Sequence, residues 1–415
     1  MGNDPIEECV RMMLVIFDDR IKSFFPLTQL RATGDLRCGI MKLRQRLDLL
    51  FSNDNPVHYL LPEYLRPLYQ ERHPDWDEYA SHIGDYLYIN SRLIVNEDTI
   101  REIRKLKTSK ALINNGDIVA LRSADHITDL SQYIVEHKKS YTSKQTDIGL
   151  YYNPAELIHD NDRLIRFDFD LIFSDKDNYF ETEPGVTVLH PYNVWLGENV
   201  VLKPGVVLDA SNGPIVIDDG ALVMANAVVL GPCYIGKGTM IKIGAKIYQS
   251  CSIGPVCKVG GELEGTILQA YSNKQHDGFL GHSYIGEWVN IGADTNNSDL
   301  KNTYKPVELY SYETGQKYNS GTQFMGCLIG DHVKLGINST VNTGSVIGTG
   351  SNLWGRDLIN GFIPDFSWGQ ADSLSLYQYD KFHDTARTVK QRRALDISPA
   401  EDSLLKKIHE DRTEN

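Results

Sequence analysis

The sequence predicts an α/β domain, a parallel β-helix and a short helical tail, in that order along 415 residues. Three observations predict this architecture. Apolar strands alternate with helical segments early in the chain, apolar residues then recur at every sixth position, and that spacing stops near Trp354. A six-residue repeat fits neither an α-helix nor an ordinary strand and is the signature of a parallel β-helix. A chain of this length is typical of two or three domains.

Composition and charge narrow the class of partner. Apolar residues make up 41% and charged residues 23%, which is typical of a soluble globular protein. The net charge of −13 argues against a nucleic-acid partner, although a local basic cleft could still bind anionic substrates. No apolar run approaches the roughly 18 residues of a membrane span, and the first residues lack the features of a secretory signal. We therefore expect no membrane partner and a cytoplasmic location.

Residues 1–180 are predicted to form the α/β domain. Leu14–Phe17 is a short apolar run with β-branched residues, which indicates a buried strand that ends at two carboxylates, Asp18 and Asp19. Similar patterns predict strands at 86–89, 111–113, 118–121 and 164–173, and helices at 35–50 and 98–107. Strands interleaved with helices favour a mostly parallel sheet.

Residues 185–360 carry the six-residue repeat and are predicted to form the β-helix. The apolar residues that recur form three series: Leu196, Leu202 and Leu208; Ile217, Val223, Val229, Ile235, Ile241, Ile247, Ile253 and Val259; and Ile329, Leu335, Val341, Ile347 and Leu353. Each is predicted to point inward, where a charge would be buried without a partner at high cost. Phe279, Ile285 and Ile291 are expected to continue the inward series, and 298–322 to form a loop. Loops on a rigid scaffold tend to carry function.

Residues 361–415 lack the repeat and predict a helical cap. Helices are expected at 371–393, with a basic last turn at 390–393, and at 399–410. A β-helix ends in open strand edges that must be covered, and we expect this tail to cover them.

Two histidines, His276 and His282, are candidates for a general base. Both fall outside the predicted inward series, so both are expected on the outer surface or in a groove. Histidine suits general-base work because its unperturbed pKa lies near 6.5. The spacing alone does not choose between the two, and an exposed histidine is more often only a surface residue.

The segment 274–295 resembles the active-site region of a known enzyme family. Residues 276–281 (His-Asp-Gly-Phe-Leu-Gly) are similar to the family's His-x-x-Tyr-Leu-Gly, and residues 289–295 (Val-Asn-Ile-Gly-Ala-Asp-Thr) to its Val-Asn-Ile-Gly-Ala-Gly-Thr. The family is the glucosamine-1-phosphate N-acetyltransferase domain of the bifunctional UDP-N-acetylglucosamine diphosphorylases. Its members join an N-terminal nucleotidyltransferase domain to a left-handed β-helix, usually trimeric. The resemblance therefore implies a left-handed β-helix and a homotrimer.

The resemblance also implies roles for single residues in acetyl transfer from acetyl-CoA. His276 corresponds to the general base, Asn290 to a contact with the sugar phosphate, and Ala293 to a backbone contact with acetyl-CoA. Lys301 or Lys305 takes the place of a loop lysine that meets phosphate. The 2-amino group of the sugar would attack the thioester carbonyl, His276 would accept the proton, and backbone N–H groups would hold the oxyanion.

Other substrate-binding candidates follow the family less closely. Lys274 begins the matching segment, and Lys258 falls near an upstream arginine of the family. Phe279 replaces a tyrosine that binds substrate, and Asp294 replaces a glycine, so the substrate could be a different amino sugar. Without the resemblance, Asn290 and the lysines could equally be structural or solvated side chains.

Short motifs in the N-terminal domain carry a second resemblance. Residues 25–31 (Phe-Pro-Leu-Thr-Gln-Leu-Arg) and 35–40 (Asp-Leu-Arg-Cys-Gly-Ile) stand where ordinary sugar nucleotidyltransferases have a Gly-rich phosphate loop, which is absent here. Together with residues 88–92 and 161–165, they resemble a divergent nucleotidyltransferase-like family that precedes hexapeptide domains in some bacterial proteins.

Nucleotidyl transfer needs cations for the triphosphate and carboxylates for Mg²⁺. Arg31 and Arg37 are candidates for binding the nucleotide. Asp18 and Asp19 are candidates for the metal, because ligands bind at the carboxyl ends of strands in open α/β sheets. These charges could instead form ordinary ion pairs in a domain that has lost catalysis.

The resemblance implies a bifunctional enzyme of UDP-N-acetylglucosamine synthesis. Its small-molecule partners would be a sugar phosphate, acetyl-CoA and a nucleoside triphosphate, with Mg²⁺ for the nucleotidyl step. One alternative keeps acyl transfer alone, with a front domain that binds a nucleotide sugar without reaction. Another is a non-catalytic trimeric scaffold.

Overall fold

The computed structural model describes residues 12–53, 55, 57–76, 84–130, 133, 141–176 and 178–414. The chain divides into two compact units. The first contains the chain up to residue 19 together with 32–35 and 43–151, and the second contains 20–31, 36–42 and 152–415. Two short N-terminal segments therefore belong to the same unit as the β-helix. The domain boundaries predicted near residues 180 and 360 stay predictions.

The first unit is built on a six-stranded sheet. Its strands are β1 (Met12–Phe17), β2 (Val57–Leu60), β3 (Asp85–Asn90), β4 (Lys110–Asn114), β5 (Asp117–Ser123) and β6 (Thr142–Gln145), in the order β2-β1-β3-β5-β4-β6. β1 is parallel to β2 and β3, and β4 is parallel to β6. β5 is antiparallel to both of its neighbours, β3 and β4. Its pairing with β4 is a hairpin, because only Asn115 and Gly116, both at positive φ, connect the two strands. The predicted α/β sheet is confirmed and is mixed.

In the described part of the first unit, the α-helices are α1 (Leu43–Phe51), α2 (Arg66–Arg72) and α3 (Glu97–Arg104). The helix predicted at 98–107 is α3, and its first turn is capped by the side chain of Asn96, which accepts from Thr99 N at 2.8 Å. The helix predicted at 35–50 begins only at residue 43. The segment before it belongs to the second unit.

The strand predicted at 164–173 is wrong, because these residues end a 20-residue helix, α4 (Pro154–Phe173), in the second unit. Its buried residues recur with helical spacing: Leu157, Ile158, Asn161, Leu164, Ile165 and Asp168. Asn161 and Asp168 are polar although they lie on the buried face. The apolar residues alone therefore do not show the helical spacing, and their alternation with polar residues resembled that of a strand. Asn161 and Asp168 are buried because their oxygens accept main-chain N–H groups of Gly39 and Ile40, at 2.7 and 2.8 Å.

The second unit contains the β-helix, whose strands form three sheets that are parallel apart from the last strand of sheet 3. Sheet 1 holds Thr187–Leu189, Val207–Asp209, Val228–Leu230, Lys246–Ile247, Glu262–Glu264 and Phe279–Gly281, and the same side continues in Asn296–Asn297, Thr340–Val341 and Leu358–Ile359. Sheet 2 holds Val194–Leu196, Ile215–Ile217, Cys233–Ile235, Cys251–Ile253, Ile267–Ala270, Tyr284–Glu287, Leu328–Ile329, Val346–Ile347 and Phe362–Ile363. Sheet 3 holds Val201–Leu202, Leu222–Val223, Met240–Ile241, Lys258–Val259, Asn273–Lys274, Asn290–Ile291, Lys334–Leu335, Asn352–Leu353, Ser367–Gln370 and Ser373–Leu376. The predicted fold class, an α/β domain followed by a parallel β-helix and C-terminal helices, is confirmed.

The six-residue series forms the core of the β-helix. From Ile217 to Val259, all eight residues of the longest series are at most 1% exposed. The prediction that Phe279 points inward is wrong. Leu280 pairs with the inward Leu263, whereas Phe279 pairs with the half-buried Glu262 on the outer face. The apolar position has therefore moved by one residue.

The predicted loop at 298–322 contains a short hairpin, Glu308–Tyr310 with Lys317–Asn319. The predicted helix at 371–393 begins later, at Tyr379, because 367–376 fold into two antiparallel strands that end sheet 3. The tail then forms α5 (Tyr379–Gln391) and α6 (Pro399–Glu414). Within the described ranges, no helix combines the length and the apolar character that crossing a membrane requires.

Candidate functional site

A lysine lies inside the β-helix, directly before the loop that carries His276. The register of sheet 3 places Lys274 level with the inward Val259 of the preceding coil. The Lys274 side chain is fully buried, and its ammonium donates to the main-chain carbonyls of His276 and Asp277 at 2.6 and 2.9 Å. Burial lowers the pKa of Lys274 to about 8. Lys274 was predicted to bind substrate, but its ammonium binds main-chain carbonyls inside the protein and thereby anchors the loop 275–278.

The loop 275–278 presents His276 at the surface, as predicted. The loop packs closely on the next coil. Gly278 has φ of 115°, and a Cβ there would lie 2.2 Å from the carbonyl oxygen of Thr295, so this position requires glycine. The backbone of the loop is therefore held from two sides while the imidazole of His276 stays accessible.

The second histidine candidate, His282, has an acidic partner. It is half-buried, and its Nδ1 lies 2.8 Å from Oδ2 of Asp299. The ring also packs on Phe324, with 5.4 Å between ring centroids. A carboxylate on one ring nitrogen fixes the tautomer and orients the other nitrogen. Asp299 could not be predicted from the sequence, because a contact across 17 residues follows from the coil register and not from a local motif.

Residues at one register of sheet 3 line a cavity of about 290 Å³. Lys258, Asn273, Asn290 and Lys334 lie beside one another in successive coils. Gln275, from the loop that carries the first histidine, lines the same cavity. The structure therefore brings together two predicted substrate-binding residues, Lys258 and Asn290.

The remaining acetyltransferase candidates lie outside that cavity. Phe279 is half-buried on the outer face of sheet 1. Ala293 is half-buried, and its carbonyl accepts from Asn338 N at 2.8 Å. Lys301 lines a separate cavity of about 350 Å³ and donates to a main-chain carbonyl of its own loop at 2.9 Å. Lys305 is exposed.

Two arginines that the sequence analysis treated only as a basic helix end also line the 290 Å³ cavity. Arg392 and Arg393 follow directly after α5. Arg393 donates to the side-chain oxygen of Asn273 at 3.2 Å. The basic turn was visible in the sequence, but its position against sheet 3 follows only from the fold.

In the first unit, the carboxylates predicted to hold Mg²⁺ already accept protein donors. Oδ1 of Asp18 accepts from the hydroxyls of Tyr59 and Ser91, and its Oδ2 accepts from a main-chain N–H. Both carboxylate oxygens of Asp19 accept from Arg92. Burial raises the pKa of Asp18 to about 6. Because all four oxygens have donors, the two carboxylates do not fit a metal as they stand.

The arginines predicted to bind the nucleotide are almost fully buried in the second unit. Arg31 is 5% exposed and binds Asp331 and Glu287, with N–O distances of 2.6 and 3.3 Å. Arg37 is 6% exposed and lies over the ring of Tyr234, 5.0 Å from its centroid. Both guanidinium groups therefore have partners within the protein, and their assignment to a nucleotide stays a prediction.

The known proteins that this chain matches are transferases. Residues 14–177 match the family model described as sugar nucleotidyl transferase, and a β-helix of hexapeptide repeats follows them. The resemblance stated from the sequence is confirmed.

The similar proteins include bifunctional enzymes. A bifunctional sugar-1-phosphate nucleotidylyltransferase/acetyltransferase of Sulfurisphaera tokodaii is 24% identical over 309 residues, which cover 68% of this chain and 75% of that protein. A bifunctional protein GlmU of Bartonella quintana is 26% identical over 293 residues, which cover 64% of this chain and 59% of that protein. The chain thus spans less than two thirds of the Bartonella protein.

Similar solved structures include two described as UDP-N-acetylglucosamine acyltransferases. The Arabidopsis structure is 13% identical and covers 49% of this chain and 77% of its own, with a TM-score of 0.25. The Campylobacter jejuni structure is 14% identical and covers 55% of this chain and 90% of its own, also with a TM-score of 0.25.

Proposed function

We propose that the β-helix acetylates the amino group of glucosamine-1-phosphate from acetyl-CoA, and that the linked nucleotidyltransferase domain forms UDP-N-acetylglucosamine by transferring UMP from UTP. The observation that carries the first activity is the arrangement around the loop 275–278. An exposed histidine is held on a rigid loop, and Gln275 of that loop lines a cavity that also contains Lys258 and Asn290. A general base next to a positively charged cavity suits a substrate that carries both an amino group and a phosphate group.

The acetyl transfer needs one base and an oxyanion site. The sugar nitrogen attacks the thioester carbonyl, a C–N bond forms, and His276 accepts the proton from nitrogen. Collapse of the tetrahedral intermediate breaks the C–S bond and releases CoA, whose sulfur takes up a proton. Main-chain N–H groups near Ala293 would hold the oxyanion in this scheme.

Binding roles are assigned to the other candidates by resemblance. Asn290 and Lys258 would contact the sugar phosphate, with Phe279 beside the sugar. Lys301 or Lys305 would reach phosphate from the loop. Lys274 acts in this scheme through the loop that it anchors.

The nucleotidyl step would use Mg²⁺. Because the oxygens of Asp18 and Asp19 are already bound by protein donors, we assign no step of the reaction to a metal at these two residues. This geometry favours a second candidate function, in which the β-helix transfers the acetyl group while the front domain only binds a nucleotide sugar. The burial of Arg31 and Arg37 favours it for the same reason.

We further propose that the protein is a cytoplasmic homotrimer. The resemblance stated from the sequence implies a trimer, in which a neighbouring subunit would close the acetyltransferase groove. Small molecules are then its only expected partners for catalysis: a sugar phosphate, acetyl-CoA and UTP.

The first test is CoA release from acetyl-CoA in the presence of glucosamine-1-phosphate. Release is expected with the intact protein and is expected to fall at least about 100-fold in His276→Ala, because general-base catalysis contributes about 10²–10⁴-fold. His282→Ala is the matched control and should retain most of the activity. Loss of activity in His282→Ala with normal turnover by His276→Ala would move the base to the His282–Asp299 pair.

A further inference from the structure

The 290 Å³ cavity lies between sheet 3 of the β-helix and the end of helix α5. Its lining residues come from both elements: Lys258, Tyr271, Asn273, Gln275, Trp288, Asn290, Lys334, Thr385, Val389, Arg392 and Arg393. The same chain therefore supplies both walls. The C-terminal tail therefore forms one wall of the cavity.

The lining of this cavity is strongly basic. Two lysines, Lys258 and Lys334, and two arginines, Arg392 and Arg393, contribute side chains, and in the described part of the chain no aspartate or glutamate lines it. The ammonium of Lys334 is already bound by two main-chain carbonyls, at 2.6 and 3.1 Å. The other three cations have no acidic partner among the described residues, and Arg393 donates to the neutral amide of Asn273. No carboxylate of the described residues therefore competes with an anion for these three cations.

Like charges crowd one another in this cavity. The pKa of Lys258 is lowered by burial and then by the neighbouring Arg393 and Arg392. Clustered cations repel one another unless an anion lies between them, so the protein carries a cost here that a bound anion would relieve. On a chain with a net charge of −13, an acid-free basic cavity is typical of a binding site.

The rest of the lining suits a polar ring attached to the anion. Asn273, Gln275 and Asn290 offer amides, which can both donate and accept hydrogen bonds. Tyr271 and Trp288 stack with 4.5 Å between centroids and 10° between planes, and they form a flat wall. Arginine guanidinium groups match phosphate oxygens in bidentate geometry.

We propose that this cavity is a phosphate-binding site that Arg392 and Arg393 complete from the same chain, and that it holds the phosphate of the sugar-phosphate substrate. The anion site itself stands on the cavity and its charges, whereas the identity of the sugar rests on the proposed function. The two arginines are then substrate-binding residues at the C-terminal end of α5.

The test measures binding of glucosamine-1-phosphate to the intact chain by calorimetry, and KM values for glucosamine-1-phosphate and acetyl-CoA. Each arginine should contribute about tenfold to affinity, because hydrogen bonds between charged groups are about twice as strong as neutral ones. The variant Arg392→Gln with Arg393→Gln should therefore raise the dissociation constant and the KM for glucosamine-1-phosphate about 100-fold. Its KM for acetyl-CoA should not change, and high salt should weaken the binding.

Arg387→Gln is the matched control, because Arg387 lies on the same helix but outside the cavity, paired with Asp396 at 3.4 Å. It should bind like the unchanged protein. Wild-type affinity in the double variant would overturn the proposal. An increase only in the KM for acetyl-CoA would overturn the assignment to the sugar phosphate. Reduced binding without any acetyl transfer in the intact protein would support the anion site and would refute the proposed function alone.

Discussion

Replacing Lys274 by methionine tests whether a buried lysine positions the loop that carries His276. Methionine keeps an unbranched side chain that is one atom shorter and removes the ammonium, so the carbonyls of His276 and Asp277 lose their donor. The apolar side chain then occupies the inward position that Val259 occupies one coil earlier. We expect the β-helix to tolerate the change and the loop to lose order.

Two opposing contributions determine how much Lys274→Met changes the free energy of unfolding. Each hydrogen bond from a charged donor contributes about 1.5–3 kcal/mol, so the loop loses two anchors. Against this, the folded protein no longer holds a desolvated ammonium, and replacing buried charge by an apolar group of similar volume is often neutral or stabilising. The free energy of unfolding should therefore change by less than about 2 kcal/mol. The rate of acetyl transfer should fall about 10- to 100-fold, because a displacement of the general base by about 1 Å can reduce the rate about 100-fold.

Hydrogen exchange and turnover measure the two effects separately. Amide exchange in the peptide that covers 275–278 should become faster in Lys274→Met, and kcat for CoA release should fall while the denaturation midpoint stays nearly constant. Lys246→Met is the control, since Lys246 is exposed and pairs with Glu262 at 3.4 Å on sheet 1. Unchanged exchange and unchanged kcat in Lys274→Met would refute the anchoring role.

Two further predictions concern buried charges. Arg31→Met should lower the free energy of unfolding by about 3–5 kcal/mol, because it leaves the carboxylates of Asp331 and Glu287 without their cation, whereas Arg20→Met at an exposed pair should cost less than about 1 kcal/mol. Equal denaturant midpoints for the two variants would contradict this. Asp18 has a folded pKa raised from 3.8 to about 6, so its contribution to stability is present below pH 4 and is lost as the pH rises through 6. Asp18→Asn should remove up to about 3 kcal/mol of this pH dependence between pH 4 and 7, and an unchanged slope in denaturation curves would show that Asp18 does not cause it.

The β-helix could be predicted from the sequence because its inward positions accept little besides apolar side chains. The eight residues from Ile217 to Val259 follow that constraint without exception. The prediction failed where the core uses polar groups. The polar Asn161 and Asp168 lie on the buried face of α4, so the helical apolar pattern was not apparent there. Lys274 occupies an inward position because its ammonium donates to two main-chain carbonyls. Such pairings depend on distant backbone, and no local pattern contains them.

The candidate site was only partly predictable for a related reason. Resemblance supplied Asn290 and Lys258, and the structure places both in one cavity. The contact between His282 and Asp299 joins residues whose proximity is set by the stacking of coils. The position of Arg392 beside sheet 3 likewise depends on where the chain returns after the last coil.

The segments 20–31 and 36–42 have a consequence for the order of synthesis. Gln29 binds Asp365 at 3.0 Å and Arg31 binds Asp331 at 2.6 Å, so their partners are made 336 and 300 residues later. At about 5–20 residues per second, these segments wait roughly 15 to 70 s on the ribosome before they can be buried. A chain that ends near residue 180 would lack Asp331 and Asp365, so Arg31 and Gln29 would stay without these partners. We therefore expect residues 1–180 to be inherited and expressed only together with the β-helix, however independent the two proposed activities are.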